Sequence, residues 1–176
     1  SHQLSSHLLS IVCDSAIVNE VRDFLSDSGM SMVANLRNGL WYADSFEGTC
    51  YFKSTDGHVR NWSFASSRLN LETACRAFTD QGIVIVDSTK AGKRYPDSMT
   101  YTIPIWCAVI NCLLYKSVYK IDLIDRSIVE QFTSVAPWIP PSYQQQLHHK
   151  ILDIVTNLPH AICNIIVQQV LPSYLQ

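Results

Sequence analysis

Ile83-Val84-Ile85-Val86-Asp87-Ser88-Thr89-Lys90-Ala91-Gly92-Lys93-Arg94 is the stretch that decides the fold class. Four consecutive branched aliphatics form a short continuous apolar run, the pattern of a buried strand. The run breaks into a loop that holds an acid, two hydroxyls, a glycine and three cations. In an open α/β sheet, ligands sit beyond the carboxyl ends of the strands, where loop amides converge on an anion. A strand that spills into this loop therefore points to an anion such as phosphate; a plain basic turn is the competing reading.

The elements on either side agree with that class. Upstream, a helix is predicted from Asn70-Leu71-Glu72 to about Asp80, with Gly82 breaking it before the strand. Leu8, Ile11, Val12, Ile17, Val18, Val21, Phe24 and Leu25 fall at helical spacing and predict a helix with a core face that ends near Gly29. Met32-Val33-Ala34 and Leu40-Trp41-Tyr42 read as short strands separated by Asn38-Gly39, and Thr49 to Lys53 as a third. Downstream, Pro104 opens an apolar helix to about Tyr119, and further helices are predicted over Ser142–Asn157 and Pro159–Val170. The expected architecture is α/β, with a mixed or mostly parallel sheet flanked by helices and a helical C-terminal segment. No repeat or low-complexity linker divides the 176 residues, so residues 1–176 are expected to form a single domain.

Composition bounds the class further. With 47% hydrophobic and 16% charged residues, the chain is globular rather than disordered. No uninterrupted apolar run is long enough to span a bilayer, and the first residues lack a signal-peptide pattern, so neither membrane insertion nor secretion is expected. Cys13, Cys50, Cys75, Cys107, Cys112 and Cys163 are scattered among apolar neighbours and read as reduced core thiols. There is no Cys-x-x-Cys pair, and His148-His149 point to different sides of a helix, so a zinc site is not expected. Trp41, Trp62, Trp106 and Trp138 read as core anchors on the same apolar-neighbour argument.

The formal net charge of −2 conceals an asymmetry. Residues 1–49 carry two cations and six acids, residues 50–120 nine cations and five acids, and the remainder two cations and four acids. The basic middle contains Arg60, Arg68, Lys116 and Lys120, together with the polar loop at 87–94 and a second dense motif, Lys53-Ser54-Thr55-Asp56-Gly57-His58. Lys53, Ser54 and Thr55 can engage phosphate oxygens; Asp56 and His58 can move a proton or hold a metal. Two familiar phosphate chemistries are excluded. No cysteine has an arginine six residues later, as a thiol phosphatase loop requires, and Gly92-Lys93 is followed by Arg94 rather than by a hydroxyl residue, so the nucleotide-triphosphatase loop fails.

Tyr51-Phe52-Lys53-Ser54-Thr55-Asp56-Gly57-His58, Asn61-Trp62-Ser63-Phe64, Arg68-Leu69-Asn70-Leu71, Ile85-Val86-Asp87-Ser88-Thr89, Gly92-Lys93-Arg94, Pro96-Asp97-Ser98 and the run from Thr102 to Asn111 resemble the initiator-tRNA phosphoribosyltransferase family over roughly residues 30 to 120. The resemblance implies a cytoplasmic tRNA-modifying transferase. Its donor would be phosphoribosyl pyrophosphate, its acceptor the 2′-hydroxyl of adenosine 64 of initiator methionine tRNA, and its leaving group pyrophosphate, with magnesium assisting. It implies Asp56, His58 and Asp87 as candidates for the catalytic groups, the choice of base among them being open. Lys53, Ser54, Thr55, Ser88, Thr89, Lys90, Gly92, Lys93 and Arg94 are the candidates for donor binding, and Arg60, Arg68, Lys116 and Lys120 for tRNA phosphates. Lys90-Ala91 carries one cation fewer than the family's loop. The resemblance also implies a longer protein with a phosphatase-like second domain beyond this stretch. That leaves a second expectation open: a non-catalytic tRNA- or phosphate-binding module that supports catalysis by that other domain.

Overall fold

The computed structural model describes residues 2–58, 61–89 and 93–176. The residues gather into two compact units, one formed by 1–51 and 72–88, the other by 52–71 and 89–176.

The first unit contains the sheet. Helix α1 (His2–Leu25) leads to strand β1 (Ser31–Asn35), a 3-10 turn at Gly39–Tyr42, strand β2 (Gly48–Cys50), helix α2 (Leu71–Thr79) and strand β3 (Ile83–Val86). The order is β2-β1-β3 and both pairings are parallel, with Val33 opposite Gly48 and Ser31 opposite Ile83. β1 lies between its two neighbours and all five of its residues are buried, as expected of the central strand of a parallel sheet. Leu25, Met32 and Val86 form its core with Val18, Met30, Tyr42, Phe46 and Val84 around them.

Two sequence expectations are corrected here. Leu40-Trp41-Tyr42 is not a strand but part of the 3-10 turn, and Trp41 is exposed. Parallel β1 and β2 need a crossover rather than a hairpin, and the turn at Gly39 comes so close to β3 that an added Cβ would lie 2.3 Å from the Val86 carbonyl oxygen. Helix α1 buries only a narrow stripe. Leu25 is buried and Ile11, Ser15, Val18 and Arg22 partly so, whereas Leu8, Val12, Ile17, Val21 and Phe24 are exposed.

The second unit is helical. A 3-10 turn (Ser54–Gly57) is followed, after residues 72–88, by a π-helical turn (Ser98–Thr102) that runs into α3 (Ile103–Tyr119), and then by α4 (Arg126–Phe132), α5 (Pro141–Asn157) and α6 (His160–Tyr174). Against α3 pack α4, α5 and α6. Ile105, Val109 and Leu114 of α3 are fully buried, as are Val129, Leu147, Ile151, Ile166 and Val170 from the other three helices. Ser98–Tyr119 is long and apolar enough to cross a membrane, but 61% of that window is buried, as in the core helix of a globular unit. Proline starts α5, and Pro159 separates it from α6, turning the chain by 97°.

The charge asymmetry follows the units more sharply than it follows the sequence. The first unit holds three cations and nine acids, a formal −6; the second holds ten cations and six acids, a formal +4. An anionic partner is therefore attracted to the helical unit and repelled by the sheet unit.

Candidate functional site

In the first unit, the polar loop begins where the buried-strand reading placed it, at the carboxyl end of β3. Asn35, at the same end of the neighbouring β1, donates through Nδ2 to Asp87 Oδ2 at 2.8 Å, and the Ser88 amide donates to Asp87 Oδ1 at 2.8 Å. Asn38 Nδ2 donates to the Ser88 hydroxyl at 2.9 Å. Asp87 is therefore held on both oxygens. Burial together with the Asp14 and Asp87 carboxylates pushes the Tyr42 phenol up, against a hydrogen bond with Ser88. Cys50 ends β2, where burial and the Asp87 charge push its thiol up to about 12, so it is no nucleophile at neutral pH.

The second unit contains the other motif. Phe52 is buried edge-on to Trp106, with ring centroids 5.2 Å apart, and the Thr102 hydroxyl donates to the Lys53 carbonyl at 3.0 Å. The turn that follows lies against the π-helical turn. A Cβ on Gly57 would sit 2.5 Å from the Asp97 carbonyl oxygen and 2.6 Å from Thr102 Oγ1, a contact that only glycine permits. This packing sets the polar side chains in place. Ser54 and Asp56 are half-buried, and Thr55 is exposed. Asp56 Oδ2 pairs with Arg68 Nη2 at 2.7 Å. His58 Nδ1 lies 3.0 Å from Asp97 Oδ2, and Lys93 Nζ lies 2.8 Å from the same oxygen. Asp97, outside the sequence-based candidates, is thus the hub that joins His58 to Lys93. Pro96-Asp97-Ser98 was visible as a motif, but nothing in the sequence reveals a pairing across thirty-nine positions.

Arg94 lies with its guanidinium carbon 5.4 Å from the centre of the Tyr95 ring. Lys93, Arg94, Tyr95, Asp97, Thr100 and Trp138 line a cavity of about 460 Å³. Lys116 and Lys120 line a separate cavity of about 510 Å³ at the end of α3, with Asp122 and with His160 and Asn164 from the first turns of α6. His160 and Asn164 are additional candidates whose location only the fold reveals. Thr89 is exposed, while Arg60, Lys90 and Gly92 lie outside the described residues.

Among the described residues, no group of three or more His, Cys, Asp and Glu side chains is arranged to hold a metal ion. Magnesium asks less of the protein, commonly one or two carboxylates in addition to the phosphate oxygens of its substrate. Asp87, fixed by Asn35 and the Ser88 amide at a strand end, fits that smaller requirement.

Comparison with known proteins gives a consistent result. The family model described as the Rit1 N-terminal domain matches residues 1–174. The chain is 41% identical over 129 residues to the tRNA A64-2'-O-ribosylphosphate transferase of Saccharomyces cerevisiae, covering 72% of this chain and 24% of that protein. It is 42% identical over 113 residues to an uncharacterized protein of Schizosaccharomyces pombe, covering 63% of this chain and 24% of that protein. The chain thus spans about a quarter of the length of these relatives. No solved structure matches it.

Proposed function

Since the chain belongs to the Rit1 N-terminal domain family, we propose that it is part of a cytoplasmic tRNA-modifying transferase that moves 5-phosphoribosyl from phosphoribosyl pyrophosphate to the 2′-hydroxyl of adenosine 64 of initiator methionine tRNA, releasing pyrophosphate. The name of the yeast relative supports ribosyl-phosphate transfer to tRNA. The observation that carries the chemistry is the His58–Asp97 pair in a positively charged unit.

A carboxylate only accepts hydrogen bonds, so Asp97 assigns the proton to His58 Nδ1 and leaves Nε2 as the acceptor. The 2′-hydroxyl proton passes to Nε2 as the 2′-oxygen bonds to the anomeric carbon and the bond from that carbon to pyrophosphate breaks. Negative charge grows on the departing pyrophosphate, where Lys53, Lys93 and Arg94 act electrostatically; each such contact typically contributes about 3 kcal/mol to lowering a barrier. In the same helical unit, Ser54, Thr55 and Thr89 supply hydroxyl donors to phosphate oxygens. In the sheet unit, Ser88 offers a hydroxyl donor and Asp87, oriented by Asn35, would hold magnesium, which would supply charge neutralisation to a phosphate. Asp56 is engaged by Arg68, which favours His58 as the base.

Steady-state kinetics of the full-length enzyme tests this reading. His58→Ala should lower kcat by about 10² or more, the usual contribution of a positioned base, with tRNA affinity kept. Normal turnover in that variant removes His58 from the chemistry. The runner-up, a non-catalytic tRNA- or phosphate-binding module, draws on the chain's covering a quarter of its relatives. It requires His58→Ala to keep kcat and lose tRNA affinity.

A further inference from the structure

Two of the four tryptophans are where a core reading puts them and two are not. Trp62 and Trp106 are buried, whereas Trp138 is 53% exposed and stacks on Tyr95, itself 37% exposed, with ring centroids 4.3 Å apart and planes 13° from parallel. Both rings line the cavity that also contains Lys93, Arg94, Asp97 and Thr100. A ring pair leaving this much apolar surface in water forgoes much of what burial would return. Trp138 has one face against Tyr95, and about half of its surface stays open to solvent.

Resting on the tRNA reading above, we propose that Tyr95 and Trp138 form a stacking platform for one unpaired nucleobase of the RNA, with Arg94 and Lys93 on its adjoining phosphate. The lining chemistry selects this ligand. Flat aromatic area suits any base, because every base has a π-face, and Arg94 beside Tyr95 brings a cation to the same stack. Asp97 balances one of the two cations Lys93 and Arg94, so the cavity keeps a net positive charge for an anionic guest, and the whole unit carries a formal +4. The platform also adjoins the proposed base. Asp97 lines the cavity and bonds His58 Nδ1, so one side chain links the platform's cavity to the proposed base. Readout by stacking is the usual way proteins hold single-stranded or extruded RNA bases.

The full-length protein is titrated with two single-stranded RNA oligonucleotides of equal length, an oligoadenylate and the same strand carrying abasic sites, at several salt concentrations. Wild-type protein should prefer the base-bearing strand about tenfold, in keeping with the worth of one base–aromatic stack. Trp138→Ala and Tyr95→Ala should erase that preference while leaving the salt slope unchanged, and Trp138→Phe should restore most of it. Circular dichroism of each variant verifies the fold. An unchanged preference in both alanine variants, or a loss that Trp138→Phe does not rescue, overturns the platform while RNA binding itself stands. Wild-type protein that binds neither strand and no initiator tRNA overturns both the platform and the tRNA reading.

Discussion

Arg68 Nη2 lies 2.7 Å from Asp56 Oδ2, and the two side chains are only 22% and 16% exposed. Two residues that sequence reasoning assigns to different tasks, one to tRNA phosphate and one to catalysis, are thereby engaged with each other. Breaking a largely buried pair from one side leaves an uncompensated charge, a cost of several kcal/mol when burial is complete and less here. Arg68→Ala and Asp56→Asn should each destabilise the protein by about 1–3 kcal/mol in urea titration. Arg68→Ala should leave the salt slope of tRNA binding unchanged. A slope reduced by about one unit with unaltered stability would return Arg68 to the RNA interface.

What the sequence makes legible is what depends on periodicity. The run Ile83–Val86 is a strand, the helices at 71–79, 103–119, 141–157 and 160–174 lie where their apolar spacing and prolines put them, and the sheet is parallel. Periodicity fails for short elements. Gly39–Tyr42 looks like a strand because Leu-Trp-Tyr is apolar, yet close approach to β3 curls it into a turn. Helix α4 has only seven residues, too few for an apolar face to repeat, although Asp125 caps it by accepting from the Ile128 amide. Site residues show the same division. Composition identifies Lys53 to His58 as chemically dense, but the pairings of Asp56 with Arg68 and of His58 with Asp97 are properties of the fold. Trp138 has apolar sequence neighbours and is nonetheless exposed, because burial is decided by neighbours in space.

Thiol reactivity should separate exposed Cys13 from Cys50, Cys107 and Cys112. Burial pushes Cys112 up to about 12 and Cys107 up to about 11, and burial with the Asp87 charge pushes Cys50 up to about 12. At pH 8 their thiolate fractions are about one part in a thousand or less. Cys13 is exposed on α1. Reaction of the native protein with an aromatic disulfide reagent should label Cys13 fast and Cys50, Cys107 and Cys112 only on unfolding, with sites read by mass spectrometry. Cys13→Ser should remove the Cys13 share of the fast phase, leaving at most the partly buried Cys75 and Cys163; rapid native labelling of Cys112 would contradict the burial.

Glu47 ties β1 to α1. Its Oε2 accepts from the Met32 amide at 2.8 Å and its Oε1 pairs with Arg22 Nη1 at 2.9 Å. Burial pushes this carboxyl up, but hydrogen bonds from the Met32 amide, its own amide and Arg22, with the Arg22 charge, outweigh it and hold the carboxyl below the usual glutamate range. A depressed acid stabilises the fold above its unfolded pKa, and that contribution is lost as pH falls through the lower folded value. Glu47→Gln should therefore be less stable than wild type at pH 7, with the gap closing below about pH 4. Urea midpoints at pH 7 and pH 3.5 measure it, and a gap that stays constant between them would show that the carboxylate charge contributes nothing.

Lys116 and Lys120 share one face at the end of α3, where His160 and Asn164 of α6 complete the cavity. If tRNA phosphates occupy it, each lysine releases counterions on binding. Lys116→Ala and Lys120→Ala should then weaken initiator-tRNA binding by the full-length protein and flatten the salt slope by roughly one unit for each lost phosphate contact. Substitutions in the acidic unit, Asp14→Ala or Asp27→Ala, should leave the slope where it is, because that unit carries a formal −6 and repels the same phosphates. Titrations at several salt concentrations distinguish a lost contact, which changes the slope, from a folding defect, which lowers the active fraction at every concentration. A slope that survives the double lysine replacement would move the tRNA to another face of the helical unit or to the rest of the full-length protein.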